Sequence, residues 1–553
     1  MLRQRVASDA ALRPLAAGVV RRAELLIDQP PVEHLIRGTR LLDVSRTAVA
    51  RIVRLGMAYH LTGDDRFAHR FAEEADAIAG FPDFGPNHYL DVAEMATALG
   101  IGLDWFKEAL PKVTRERVVQ ALREKVIATA TDDQWWWGVE TNWSAVCMAG
   151  VLVACRAILQ DGPDSDAQRL ADRVRSHAKA AFACYEPDGV YPEGPTYWSY
   201  GTIYAIVLLE TLRSMGHEEI AATLPGDGFL RSAGFRAACD GPSGAIFNFG
   251  DTHSKSVYVD PSLFWFAERH DRPELLDLQR QLLRDENDTN INSTAPAVNF
   301  LPMILAWMPQ QTADATEAST DWSGGGLLDV AIHRRGVNDL YVAIKSGGGD
   351  LPHGQLDAGS FVLDVAGSRI ATDLGAEDYY TVEQNVPGFW EKAADAGRWT
   401  LLRYQNQFHN TITVAGRPHD PFGRARMISH AADESVFNLG PPLGDAASAA
   451  TRRVRVTDDA VRFHDEILEP VGEVTWTMVT EAEVEEAADG FRLTANGIIV
   501  SLSAADPETA AFSRTPLDQL AGEFDSPNPG VSVLRIVRPE AAVVVFDIEV
   551  KRA

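Results

Sequence analysis

The chain has 553 residues, 46% of them hydrophobic and 23% charged, the composition of a folded globular protein too long for one core and long enough for two domains. Its formal net charge of -27 sets up a field that repels polyanions, so nucleic acid is excluded as an expected partner and heavily sulfated polymers are disfavoured. Cys147, Cys155, Cys184 and Cys239 lie in apolar or helical surroundings without CxxC spacing, as buried free thiols do.

At the N-terminus Arg3 and Arg5 are followed only by the apolar run Leu15 to Val20, which Arg21 and Arg22 break. Neither a signal peptide nor a transmembrane helix is expected, and the expected location is cytoplasmic. In Val44 to Leu61, Ala48, Ile52, Leu55 and Ala58 recur at three- and four-residue steps, which predicts a helix. The same pattern predicts helices over Asp64 to Ile78, Asp91 to Leu110, Arg115 to Thr131, Trp143 to Leu159, Asp166 to Tyr185, Tyr200 to Met215 and Pro261 to Leu283. Hairpin-paired helices with no strand between them suggest a helical toroid or solenoid over residues 1–309.

Between Gln310 and Gly326 the sequence turns small, polar and glycine-rich, and the apolar period falls from about 3.6 to about 2. A second domain of antiparallel sheets is therefore expected over 310–553. Its first clear hairpin is Leu351 to Gly375: Phe361, Leu363 and Val365 alternate with Val362 and Asp364, Gly367 makes the turn, and Arg369 to Leu374 returns. That hairpin brings His353, Gln355, Asp357 and Asp373 to the mouth of a sheet, where loops carry chemistry. Val454 and Val456, then Val474, Trp476 and Met478, then Phe546, Ile548 and Val550 continue the alternation of a β-sandwich.

Two loop-to-helix segments of the helical half, Asp133 to Trp143 and Asp188 to Gly201, are dense in aromatic and polar residues. Trp137, Glu140, Trp143, Glu193 and Trp198 are what a carbohydrate subsite needs, because aromatic faces stack on sugar C–H faces while carboxylates and amides bond hydroxyls. Taken singly, each tryptophan fits equally well as a plug at a helix end. No GxSxG elbow, Walker loop or Rossmann fingerprint is present.

The ordered motifs TNWSAVC, DGVYPEGPTYWSYG, GDTHS, HGQLDAGSF with DLG, and FHNT, preceded by HYLDVAEMATALGIGLDW, resemble those of the heparinase II/III-like polysaccharide lyases over most of the chain. The resemblance implies an N-terminal (α/α) toroid followed by a C-terminal antiparallel β-sandwich. It also implies β-elimination at a uronic acid: the C5 proton is removed, the C4–O bond breaks, and an unsaturated sugar remains. Motif for motif, Asn142 resembles the carboxylate-neutralising asparagine, Tyr197 the catalytic tyrosine and His353 the histidine facing the substrate. Tyr200, one turn after Tyr197, is a subsite residue or a second candidate acid; Tyr379 and Arg403 are further subsite candidates. His253 and His88 are weaker candidates for substrate contact, for which a capping or core role fits as well.

Two departures from the family pattern stand out. Trp143 occupies the position of a histidine that serves some relatives as base, so Tyr197 is expected to act as both base and acid, with His353 as rival base. The family's zinc ion would rest on Gln355, Asp373 and His409, and an amide is a much poorer zinc ligand than imidazole. A weakened site, a harder cation or no metal is expected, and no organic cofactor. The expected substrate is a 1,4-linked uronic-acid glycan, short or lightly sulfated. A uronyl C5-epimerase, a glycan-binding protein without catalysis, and a hydrolase using Glu140 and Glu193 are the alternatives.

Overall fold

In a computed structural model the described residues are 2–252, 255–284, 296–309, 321–336 and 340–553. The first long helix the periodicity predicts, Leu42–Thr62, buries Ala48, Ile52 and Leu55 and ends on Gly63, whose φ of 75° lets its N–H close on the Tyr59 carbonyl. Helix Asp65–Ala79 starts on Asp64, whose carboxylate accepts the Arg66 N–H at 3.0 Å. Leu42–Thr62 packs on Tyr89–Trp105, that helix on Asn142–Asp161, and that one on Ser165–His177, the succession of an (α/α) toroid. The Tyr89–Trp105 and Asn142–Asp161 pair approaches closely because glycines lie at the contact: a Cβ on Gly150 would collide with the Ala93 carbonyl, and one on Gly100 with Val153. Asn142–Asp161 has the length and apolarity to cross a membrane, yet it is mostly buried within the protein, as a core helix that is apolar all round must be.

Three predicted helices are broken differently. Arg115 to Thr131 is Lys112–Leu122 running on into a π turn, Arg123–Ile127, and Asp166 to Tyr185 divides into Ser165–His177 and Ala180–Ala183. Pro261 to Leu283 is interrupted after Pro261–Arg269, where Asp271 takes φ 52° and Arg272 leaves the helical region ahead of Pro273; the residue before a proline is pushed away from helix. Helices Leu2–Ser8, Leu12–Ile27 and Asp227–Ala238 escape the sequence reading.

The chain divides into two compact units. The first comprises Met1–Cys184, Trp198–Gly226 and Tyr258–Thr316, the second Tyr185–Tyr197, Asp227–Val257 and Glu317–Ala553. Instead of the single crossing expected at 309/310, two excursions from the helical half cluster with the sheets. One reason is packing: helix Asp227–Ala238 lies on strand Asp321–Gly324, with the Phe235 and Trp322 rings 5.5 Å apart. Residues 310–320 of the expected linker lie outside the described residues.

The second unit holds antiparallel sheets of five, eight and four strands. The five-stranded sheet runs in chain order through Asp321–Gly324, Val330–Arg335, Leu340–Lys345, Phe361–Val365 and Ser368–Ala371. Its last hairpin pairs Val365 with Ser368 across Ala366 and Gly367, at φ 48° and 73°, as a two-residue turn that matches strand twist requires. Strand Phe361–Val365 is buried on both faces, which its alternation does not suggest. Asp364 is tolerated inside because its carboxylate accepts from Ser243 Oγ at 2.7 Å and pairs with Arg369. One apolar core takes residues from all three sheets, among them Phe361, Leu363, Phe463, Trp476, Ile536 and Phe546, so the layers form a sandwich.

Candidate functional site

Within the second unit, the loop entering strand Phe361–Val365 gathers a compact group of reactive side chains. His353 sits at φ 52°, the left-handed region that non-glycine residues occupy only when the surroundings hold them there. The Gly354 N–H closes on the Leu351 carbonyl at 2.8 Å, and the Gly354 carbonyl accepts from Arg398 at 2.8 Å. The turn presents the imidazole flat against the Tyr197 ring, centroids 4.1 Å apart and planes 19° from parallel. Tyr197 lies in the first turn of helix Pro195–Ser214.

Asp251 is the hub. Its Oδ2 lies 3.1 Å from His353 Nδ1 and accepts from the Tyr379 hydroxyl at 2.9 Å; its Oδ1 accepts from Gln355 Nε2 at 2.9 Å. The Tyr379 hydroxyl lies 2.9 Å from His353 Nδ1 and 3.2 Å from the Tyr197 hydroxyl. His353 Nε2, on the other side of the ring, stands 3.5 Å from Glu193 Oε1. Burial alone would raise the Asp251 pKa, but the His353 bond, the Arg398 guanidinium 3.9 Å away and the Gln355 amide outweigh it and hold the carboxyl well below its ordinary range. An ionised carboxylate only accepts, which assigns the Nδ1 proton to the Asp251 side and leaves Nε2 as the reaching nitrogen. Burial, reinforced by Asp251, pushes the Tyr379 pKa well up, so Tyr379 keeps the proton it donates to Asp251.

Trp390 flanks this group, 44% exposed, its indole N–H held by Glu383 Oε1 at 2.9 Å and its ring 5.8 Å from His353 and 5.0 Å from Tyr379. Sequence reasoning missed Asp251, Arg398 and Trp390. A signal for Asp251 is present in the GDTHS motif, whose His253 lies outside the described residues.

Of the expected metal ligands, His409 and Asp373 face one another and the Gln355 amide nitrogen faces Asp251. His409 Nδ1 faces Asp373 Oδ2 at 3.1 Å, and Asp373 Oδ1 accepts the Gly375 N–H at 2.8 Å. The Gln355 amide nitrogen donates to Asp251 Oδ1 and, at 3.3 Å, to the Gly375 carbonyl; both are acceptors, which fixes the amide's orientation. Gln355 Oε1 and His409 Nε2 are buried without a hydrogen-bond partner, but an amide oxygen and one imidazole fall short of the donor set zinc takes. Among the described residues no group of three or more His, Cys, Asp or Glu is arranged to hold a metal ion. The residues present do not fit the zinc site that the resemblance implies.

The other sequence candidates are scattered in role. In the first unit, buried Asn142 opens helix Asn142–Asp161 behind Thr141, whose hydroxyl caps the Trp143 N–H at 3.3 Å. Trp143 stands between the His88 ring at 5.0 Å and the Trp135 ring at 4.6 Å; His88 is bonded to Asp91 at 2.6 Å. Trp135 is the exposed tryptophan of its cluster, while Trp137 is buried, its N–H on the Thr131 carbonyl at 2.9 Å. Trp198 is wholly interior against Phe266. Tyr200 is also interior, donating to Glu94 at 2.6 Å beneath Arg46, so its hydroxyl has a structural partner. Glu140 is exposed. In the second unit Arg403 clamps the Leu374 and Ala376 carbonyls and Asn528, a tie between loops in place of the expected sugar contact.

Residues 330–515 match the family model described as heparinase II/III-like, C-terminal. No curated protein sequence matches the chain. Among solved structures, a mutant heparan sulfate lyase of Pedobacter heparinus superposes with a TM-score of 0.62 at 13% identity, over 97% of this chain and 83% of that one. The chondroitin AC lyase of Streptomyces coelicolor gives 0.56 at 13% identity over 100% and 82%, and a Paenibacillus xanthan lyase 0.56 at 10% over 99% and 57%. At such identities the likeness is one of fold: a helical toroid followed by antiparallel β-sandwich sheets.

Proposed function

We propose, from the match of residues 330–515 to the heparinase II/III-like, C-terminal family model, that the chain is a lyase cleaving 1,4-linked uronic-acid glycans by β-elimination. The observation that carries the reading is the Tyr197, His353, Tyr379 and Asp251 cluster, in which a stacked tyrosine and histidine are anchored by one ionised carboxylate. The solved structures of like fold are lyases of heparan sulfate, chondroitin and xanthan, which supports the reaction class.

The chemistry follows from proton placement. The electron pair of the C5–H bond becomes the C4=C5 double bond as the C4–O pair leaves on the departing sugar oxygen. Tyr197, as phenolate, takes the C5 proton and returns it to that oxygen. The Tyr379 hydroxyl oxygen lies 3.2 Å from the Tyr197 oxygen, and Asp251, which accepts the Tyr379 proton, keeps it there. With a second proton on Nε2, His353 donates to the uronate carboxylate and neutralises it as charge builds into it, and the family resemblance gives Asn142 the same role. The acidic surface favours short or lightly sulfated chains such as oligo-alginate or unsulfated glycosaminoglycan fragments.

The test is an absorbance scan near the ultraviolet edge for unsaturated uronates over alginate, glucuronan, hyaluronan, chondroitin, heparosan and their oligosaccharides, with Tyr197→Phe alongside. One or more glycans should yield product, and Tyr197→Phe should lose about 10²- to 10⁴-fold in kcat. Silence on every glycan that binds would sink the lyase reading, and solvent deuterium entering C5 without cleavage would replace it with the epimerase.

A further inference from the structure

Gln355 stands where the resemblance calls for a zinc-binding histidine, yet its amide nitrogen is directed at Asp251 Oδ1. That carboxylate is the anchor of both His353 and Tyr379. The two Asp251 oxygens thus divide their roles, Oδ2 holding the His353 and Tyr379 rings while Oδ1 is held by Gln355. Gln355 is wholly buried, and a second bond from the same nitrogen to the Gly375 carbonyl ties it to the chain leaving the Asp373 strand.

Positive charge at the neighbouring acidic positions comes from the chain itself. The Lys345 ammonium, 3% exposed, is in contact with the carboxylate of fully buried Asp357, two residues beyond Gln355. It also lies 5.8 Å from the Phe249 ring centroid. A divalent ion brought to this loop would meet an ammonium already bound to the Asp357 carboxylate, and like charges in a buried site repel.

We propose that Gln355 is a positioning residue, acting on His353 and Tyr379 through Asp251, and that this centre operates without a resident metal ion. The positioning half rests on the lyase reading above; the metal half does not. Without the Gln355 donor, Asp251 loses one of the bonds that fix its plane, and the two rings lose their common reference. A hydrogen bond to a charged group contributes roughly 1.5–3 kcal/mol, so its loss should lower kcat by about tenfold or more. KM should hold, because Gln355 itself is buried away from substrate.

The experiment has two arms on the full-length chain. In the first, protein expressed with added zinc is desalted, its metal content measured by mass spectrometry, and its Tm recorded with and without EDTA. Well under one zinc per chain and an unchanged Tm are expected; one zinc per chain with a Tm that falls in EDTA would overturn the proposal. In the second, Gln355→Met, Asp251→Asn and the double variant are compared on whichever glycan gives product. Gln355→Met should reduce kcat about tenfold at constant KM, and adding it to Asp251→Asn should cost little more. Independent, multiplying losses, or an unaltered kcat in Gln355→Met, would overturn the positioning role. If no glycan yields product, the lyase reading fails by itself, while zinc content and Tm still decide the metal half.

Discussion

Lys392 sits where burial works against its charge. Its ammonium lies 3.5 Å from the Gly354 carbonyl and 5.8 Å from the Trp399 ring centroid. Burial, with help from Arg398 and against Asp251, Asp350 and Asp357, lowers its pKa to about 7. In the unfolded chain a lysine titrates near ~10.4. Between these values the unfolded chain holds a proton that the folded protein has released, so the destabilisation is full below pH 7 and is relieved as pH rises towards 10. Lys392→Met should therefore raise Tm most at pH 7, with the gap to the parent narrowing by pH 10; a gap constant with pH would refute this. Single residues were the least legible part of the sequence. Tyr197 and His353 were found through motif order, and the structure brings them into contact. Trp137, Trp198 and Tyr200 carry the same residue types as a sugar subsite, and only burial, invisible in composition, separates interior tryptophans from an exposed one such as Trp135.

At the scale of the element, the helix pair Tyr89–Trp105 and Asn142–Asp161 depends on missing side chains. Gly150→Ala forces a methyl group against the Ala93 carbonyl, a backbone atom that cannot swing aside. It should cost about 1–3 kcal/mol, seen as a lower Tm. Gly138→Ala, with open space around its Cβ position, should change stability by no more than about 0.5 kcal/mol. Equal effects would mean that the helices readily move apart. Elements with strong periodicity were legible nearly to their ends: Val44 to Leu61 is Leu42–Thr62, and the Phe361 hairpin turns at Gly367 as its φ demands. What escaped depended on partners distant in sequence, as Asp364 did. An alternating polar residue reads as solvent-facing until Ser243, 121 residues away, is seen to bond it.

For the molecule as a whole, the charge of -27 bears on the proposed substrate, a glycan that carries carboxylates. Approach is opposed at long range, and salt screens that opposition within a Debye length of ~8 Å at physiological strength. Raising salt from a few millimolar should therefore lower KM for an anionic glycan and leave kcat nearly constant; a KM that climbs with salt would show that local cations dominate the approach. The change of apolar period near 310 correctly announced sheets after helices. It could not announce that Tyr185–Tyr197 and Asp227–Val257 cluster with those sheets, because such membership is a matter of tertiary packing and leaves no mark on local periodicity.

The two excursions have a consequence for inheritance. A recombination event exchanging everything after residue 310 with a relative would deliver a new His353 and Tyr379 to an old Tyr197 and Asp251, four side chains that bond or stack on one another. The cluster proposed to react is thus encoded by three separated stretches of gene, and a crossover that looks harmless in the domain map would mix its parts from two lineages.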